Sequence, residues 1–569
     1  MKEALSIETE RVDDLPLLIA HMQRMKLAEL LDKHIPTHGR RKGLSVGELS
    51  VVWLTHILSQ ADHRMNCVQE WASRRLETLR GCGMDELCLQ DLTDDRLADV
   101  LRLLSDDVHW HECEQELMGQ LVRVYDLAAQ VVRIDTTTAS SYADVNEQGL
   151  LQLGHSKDHR PDLPQLKLVL ASLDPLGLPL ATEVISGEHA DDPVYLPMIA
   201  RVRNGLQQKG LLYVGDCKLA ALQTRAQIQS QGDYYLCPLS TLQASPSQVQ
   251  HEVEAKRAHD HRLITVERVD EQGKSTCIAQ GYETEETVTA QVDGEPTTWK
   301  ERRLLVQSMA ATLAAQKSLQ ERLLQAHQAL QSLLARRQGK AHLTERTQVE
   351  EAIKGLLTSF RVEGLLRVQI QEQVQEHPVR AYRGRLSGIR RDVTFTLSCE
   401  REEKAIEQAM SALGWRVYAT NQVTDHLGLE QAVEVYRDEY LVERNFSRLK
   451  GRPLGLAPLY VQRDDHRVGL VRLLTLALRV LTLVEGVVRQ RLSEQNEELA
   501  GVFAGNPKRR TSQPTTERLL KTFSEVTLTI VRTPGFTQRH VTPLSPLQQR
   551  ILALFGLSPA VYLRLADDS

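Results

Sequence analysis

Aromatic side chains are scarce, with 5 Trp, 13 Tyr and 7 Phe in 569 residues. So few rings leave no stacking platform for a carboxylate-pair glycosidase, which needs one to hold sugars. Long apolar runs are also missing. The most apolar stretch, Val468 to Val488, is interrupted by Arg472, Arg479 and Glu485, so no membrane span is expected. The start, MKEALSIETERVDD, lacks the apolar core of a secretory signal, and a cytoplasmic location is expected. The 8 cysteines show no CxxC spacing, and reduced structural thiols are the expectation. Cys82, Cys88, His109 and His111 fit no ordinary zinc-finger spacing. There is no basic excess either, since the formal net charge is −6. A nucleic-acid enzyme nevertheless needs a basic track and not a basic average. Basic clusters occur at Arg444–Arg452, Arg489–Arg491 and Lys508–Arg510.

What is present divides by texture. Residues 1–125 read as an all-helical domain, with apolar residues at helical spacing in LPLLIAHMQRMKLAELLDKHI. Ser45 with Glu48 predicts a capping box, and Thr93 another N-cap. From 126 to 240 the chain reads as α/β. VVRI leads into Asp135, two strands flank the turn DPLG, and LLYVG leads into Asp216. Residues 241–405 read as a mainly β insertion that also holds a helical hairpin, near Met309–Thr358. The α/β texture resumes over 406–490, with WRVYATNQ as a strand and LEQAVEVYRDEYLVERNFSRLK as one long helix. Next comes a helix apolar around most of its circumference, expected to be buried. Residues 491–569 read as a linker and helical tail. The fold class is α+β and multidomain.

Asp135 and Asp216 each follow an apolar strand, where a sheet fixes the direction of a side chain and exposes its tip. On the long helix, Tyr436, Glu439, Glu443 and Lys450 are spaced by three, four and seven residues and share one face. Val442, Phe446 and Leu449 form an apolar stripe beside them. Carboxylates converging from separate elements suit Mg²⁺, which prefers oxygen ligands and drives two-metal phosphoryl transfer.

These residues resemble the bacterial insertion-sequence DDE transposases of the YREK class. Tyr436, Glu443 and Lys450 match that signature in register, while its Arg position holds Glu439. VRIDTTTAS, GHSKDHRPDLPQLKLVLASLDPLGLPL, LLYVGDCKLAA, WRVYATN and LAPLYVQRDDHRVGLVRLLTLAL resemble the stretches around the family's acids, and the order Asp, Asp, insertion, Glu is the same. The resemblance implies an RNase H-like core in which Asp135, Asp216 and Glu443 ligate Mg²⁺, with Mn²⁺ able to substitute. It implies cleavage at transposon ends and strand transfer into target DNA. The partners implied are double-stranded DNA, namely terminal inverted repeats and target, and a second copy of the chain in the synaptic complex. The helical N-terminal domain would bind the repeats, and the working enzyme would lie on the nucleoid. Lys450 and Tyr436 are the candidate phosphate contacts, and Arg444, Arg448 and Arg452 the candidate phosphate track. Trp299 lies beside Lys300, Arg302 and Arg303, where it either stacks on a displaced base or fills the β-domain core. Asp158 and Asp162 read as structural or substrate-positioning. Two other readings stay open. One is an RNase H-like nuclease or domesticated descendant that cuts without joining, and the other is a non-catalytic DNA-binding protein.

Overall fold

The computed structural model describes residues 5–39, 41–146, 148–269, 273–335, 343, 345–379, 388–533 and 535–566. They fall into two compact units. One comprises Met1–Cys237, Val288–Trp299 and Val435–Ser569, and the other Pro238–Thr287 and Lys300–Glu434.

The first unit is built on a mixed sheet. Its strands are β1 (Val131–Ser140), β2 (Gln165–Leu173), β3 (Leu178–Ser186), β4 (Leu212–Val214) and β5 (Tyr234–Pro238), in the order β3-β2-β1-β4-β5. β1–β2 and β2–β3 pair antiparallel, while β1–β4 and β4–β5 pair parallel. β1 does not stop at Asp135, as the sequence reading expects, but runs on to Ser140. The reason is composition: Thr136, Thr137 and Thr138 are β-branched and continue the pleat.

Helices α1 (Asp107–Val124), α2 (Tyr195–Leu206) and α5 (Asp464–Glu494) pack on β3. α5 has 31 residues and is buried along most of its length, as its apolar circumference predicts. It approaches the helix Asp94–Leu104 so closely that a Cβ on Gly469 would lie 2.0 Å from the Leu101 carbonyl oxygen. Its charges are compensated internally. Arg479, 1% exposed, meets Glu114 of α1 and the carbonyls of Pro179 and Leu180, and Arg472 meets Asp107 and the Leu104 carbonyl.

Residues 1–125 are mostly helical, and Ser45 and Glu48 form the expected capping box. Thr93 occupies the N-cap position without a side-chain cap bond. The segment is not wholly helical, however. Ser6–Arg11 is a strand that pairs antiparallel with Thr527–Thr533, which pairs in turn with Phe536–Val541. The tail is thus folded onto the N-terminal helices, and Tyr562 Oη donates to the Asp13 carbonyl (2.9 Å).

The strands Trp415–Thr420, Glu295–Ser308, Ser275–Val292 and Ile264–Val269 lie side by side in that order, and all but their stretch Val288–Trp299 belong to the second unit. A long antiparallel ribbon, Leu366–Val379 with Gly388–Arg401, shares a core with helices Met309–Ser332 and Arg346–Phe360. Leu319, Leu323 and Leu330 form the buried stripe of the first helix, which matches the hairpin expected there. None of the described helices is long and apolar enough to cross a membrane.

Candidate active site

The pairing of β1 with β4 fixes two of the candidate acids. Val131 stands opposite Leu212 and Arg133 opposite Val214. Two residues further on, beyond the end of β4, Asp135 comes level with Asp216. β4 has ended by then, and the charge of Asp216 is felt at Asp135. Thr136 N–H donates to Asp135 Oδ1 (2.7 Å), and Lys157 Nζ lies 3.3 Å from the same oxygen. Tyr195, buried on α2, donates its hydroxyl to Asp216 Oδ1 at 2.7 Å.

The long helix of the sequence reading is in fact two. α3 (Leu429–Arg437) ends, and α4 (Tyr440–Lys450) starts after Asp438 and Glu439. Its cause is a single buried guanidinium. Arg133 Nη2 donates to the Val435 carbonyl (2.7 Å) and to Asp174 Oδ2 (2.6 Å). Val435 O is the acceptor that a continuous helix would offer to Glu439 N–H. Glu439 N–H bonds instead to Tyr436 O, three residues back (3.2 Å). Tyr436 therefore lies on α3, half-buried, while Glu443 and Lys450 lie on α4.

α4 buries Val442, Phe446 and Leu449 as expected and is pinned by Asn445, whose Nδ2 donates to Gly177 O (2.6 Å). Glu443 projects outward in its first turn, where the positive helix end favours an anion. Glu439 is half-buried at the break. Burial pushes its carboxyl above the usual range, and the charges of Asp135, Glu443 and Asp216 push the same way against Arg133. Burial raises Asp135 as well, with Asp216 adding to it and Lys157 opposing. Glu439 thus lies in the field of three other carboxylates, Asp135, Glu443 and Asp216, and Lys157 pairs with Asp135. That donor set and its surplus of negative charge fit a hard divalent cation. Asp135, Asp216 and Glu443 do not, however, draw their oxygens into one tight triad. Asp135 turns to Lys157 and Asp216 to Tyr195.

Among the described residues, the group whose ligand atoms all lie within 4.8 Å of one another is Asp107, His111 and Glu183. These acids already have cationic partners. Asp107 meets Arg472, and Glu183 meets Arg201 (2.6 Å) and His111 (3.3 Å).

The loop after β1 supplies the rest of the site. Lys157 Nζ also reaches the Thr136 carbonyl (2.5 Å) and hydroxyl (2.6 Å). Lys450 Nζ bonds Asp158 (2.5 Å) and Thr137 Oγ1 (2.9 Å), while Asp162 pairs with Arg160. Lys157 and Tyr195 were missed in the sequence. Lys157 falls in the quoted GHSKDHR segment, whereas Tyr195 has no pattern around it.

The structure corrects three of the candidate DNA contacts. Arg444 and Arg448 both turn inward to Glu485 of α5, together with Arg489. Arg448 is only 8% exposed. Burial pushes the Glu485 carboxyl up, yet the bonds to Arg444 and the charges of Arg448 and Arg489 hold it below the usual range. Trp299 is 5% exposed, packs with Ala226 and Val292, and donates its ring N–H to Tyr235 Oη (2.9 Å). It is a core residue with its one polar atom satisfied. Arg452 is exposed just beyond α4.

Residues 7–117 match a family described as a domain of unknown function, DUF4277. The chain matches no curated protein. Among solved structures it is similar to the piggyBac transposase synaptic complex with hairpin DNA, seen by cryo-EM. The identity is 8% and the TM-score 0.24, over 47% of this chain and 58% of that one. That likeness is too distant to assign either fold or activity.

Proposed function

We propose that this chain is a DDE-type DNA transposase with an RNase H-like core, cleaving DNA at transposon ends and joining the freed 3′ ends to target DNA. The observation that carries the reading is the level placement of Asp135 on β1 and Asp216 just past the end of the parallel strand β4, with Glu439 at the α3–α4 junction in the field of both and of Glu443. Two acids from a sheet and others from a helix are the arrangement that metal-dependent phosphoryl transfer needs.

Asp135, Asp216 and Glu443 would hold Mg²⁺, or Mn²⁺ in its place, with Glu439 beside them. A divalent cation bound there supplies the charge that activates an attacking oxygen and stabilises a leaving one. The chain's own groups do the rest. Thr136 N–H and Lys157 orient Asp135, and Tyr195 orients Asp216. The ammonium groups of Lys157 and Lys450 meet DNA phosphates at the mouth of the site, with Asp158 holding Lys450 in place. Tyr436 and Arg452 extend the phosphate contacts. The helical N-terminal domain binds the transposon ends, and two copies of the chain bring a pair of ends together.

The test uses duplexes that carry the repeats flanking the coding sequence. Wild type should cleave them in Mg²⁺ and join pre-cut ends to a plasmid. Asp135→Asn, Asp216→Asn and Glu443→Gln should each bind the ends but not cut. Cleavage retained by any one of them removes that residue from the site. Cleavage without joining would leave a nuclease.

A further inference from the structure

The segment after α4 returns to the far end of β1. Leu459 forms a parallel bridge with Ser141, its N–H donates to Ser140 O (2.9 Å), and Ser141 Oγ donates to Leu459 O (2.7 Å). The next residue on each side of the bridge is an exposed tyrosine, with Tyr142 62% and Tyr460 76% exposed. In a chain so poor in aromatics, a ring as exposed as that of Tyr460 calls for a reason.

Behind Tyr460 opens a cavity of about 580 Å³. Its floor is apolar, formed by Trp53, Leu101 and Leu470, all buried, with Met65 beside them. Its rim carries Arg64 and Arg463. Each guanidinium is fixed by two bonds to an acid two residues away. Arg64 Nε and Nη2 reach Asp62 (3.0 and 2.8 Å), and Arg463 Nε and Nη2 reach Asp465 (3.0 and 2.5 Å). His63 Nδ1 donates to the Leu454 carbonyl (3.0 Å).

A dry floor, an aromatic edge and planar cations at the rim describe the complement of a flat ring attached to an anion. In DNA that unit is a nucleotide. A paired base shows only its edges, so the ring that enters must be unpaired. We propose that this cavity takes an unpaired nucleobase of a DNA strand, with Tyr460 stacked on its face and Arg64 and Arg463 on the flanking phosphates. The inference rests on the DNA reading above. The cavity lies about 20 Å along β1 from Asp135, at roughly 3.3 Å per residue. That is on the order of six nucleotide steps at about 3.4 Å each. A strand held at the acids could therefore place a base there.

The test measures anisotropy of a fluorescein-labelled 15-nucleotide thymidine strand, and separately of a 15-base-pair duplex, on the full chain. Tyr460→Ala should weaken strand binding about fivefold or more, as loss of one stacked base does, while Tyr460→Phe stays within about twofold of wild type. Met65→Trp, which fills the cavity, should weaken it too, and duplex binding should move little. Tyr460 is exposed, so its loss leaves the fold intact. Wild-type strand affinity in both Tyr460→Ala and Met65→Trp overturns the proposal while leaving the DNA reading in place. A wild-type chain that binds neither DNA overturns both.

Discussion

Glu439 and Glu443 differ by one helical turn in the sequence and by environment in the structure. Spacing picks out Glu443, because Tyr436 and Lys450 keep register with it. The structure brings Glu439 into the field of Asp135 and Asp216, because Arg133 captures the Val435 carbonyl and breaks the helix between Arg437 and Tyr440. No sequence pattern announces that capture, since it joins residues 302 positions apart. A second buried acid affects the molecule at large. Asp14 accepts from Ser59 Oγ (2.7 Å), and burial raises its carboxyl to about 6 from 3.8. Its folded pKa lies above its unfolded one, so the folded state binds more protons between about pH 4 and 6. Stability falls as pH rises through that window, by on the order of 3 kcal/mol. Asp14→Asn should therefore raise the melting temperature at pH 7.5 and hardly alter it at pH 4. Equal shifts at both pH values would show that the titration of Asp14 does not matter.

At the scale of elements, α5 was legible as buried from its apolar circumference alone, yet the meaning of its charges was not. Arg472, Arg479 and Glu485 interrupt a run that would otherwise suit a membrane. In the fold each is buried and paired with residues from other elements, which a one-dimensional pattern cannot supply. The same blindness made Arg444 and Arg448 look like a DNA track. They stand one turn apart on α4 and close on Glu485. A buried carboxylate shared by three guanidiniums is costly to remove, because Arg444 and Arg489 lose their carboxylate and Arg448 keeps only Glu517. Glu485→Gln should cost about 3–5 kcal/mol, read as a lower urea midpoint. A change under about 1 kcal/mol, the value of a surface pair, would mean that water already reaches the cluster. β1 shows the opposite case. Its extension past Asp135 could have been read from the three threonines, had β-branching been given more weight than the acid.

Across the whole chain, individual strands and helices followed from periodicity and composition, though Trp415–Thr420, expected in a core resuming at 406, groups with the second unit. What did not follow was long-range pairing. The strand Ser6–Arg11 has no partner until Thr527–Thr533, so neither segment looked like part of a sheet, and the tail read as an appendage. The candidate site has the same character, because Asp135 and Asp216 become one site only through the register of β1 and β4. A rival cation site, Asp107 with His111 and Glu183, is closer-knit but already neutralised by Arg472 and Arg201. Metal chemistry at the first site requires that it, and not the second, takes the cation. Calorimetric titration of the full chain with Mn²⁺ decides between them. The account predicts binding to wild type and to His111→Ala, with strong loss in Asp135→Asn and Asp216→Asn. Undiminished binding by both Asn variants, with loss in His111→Ala, would contradict it.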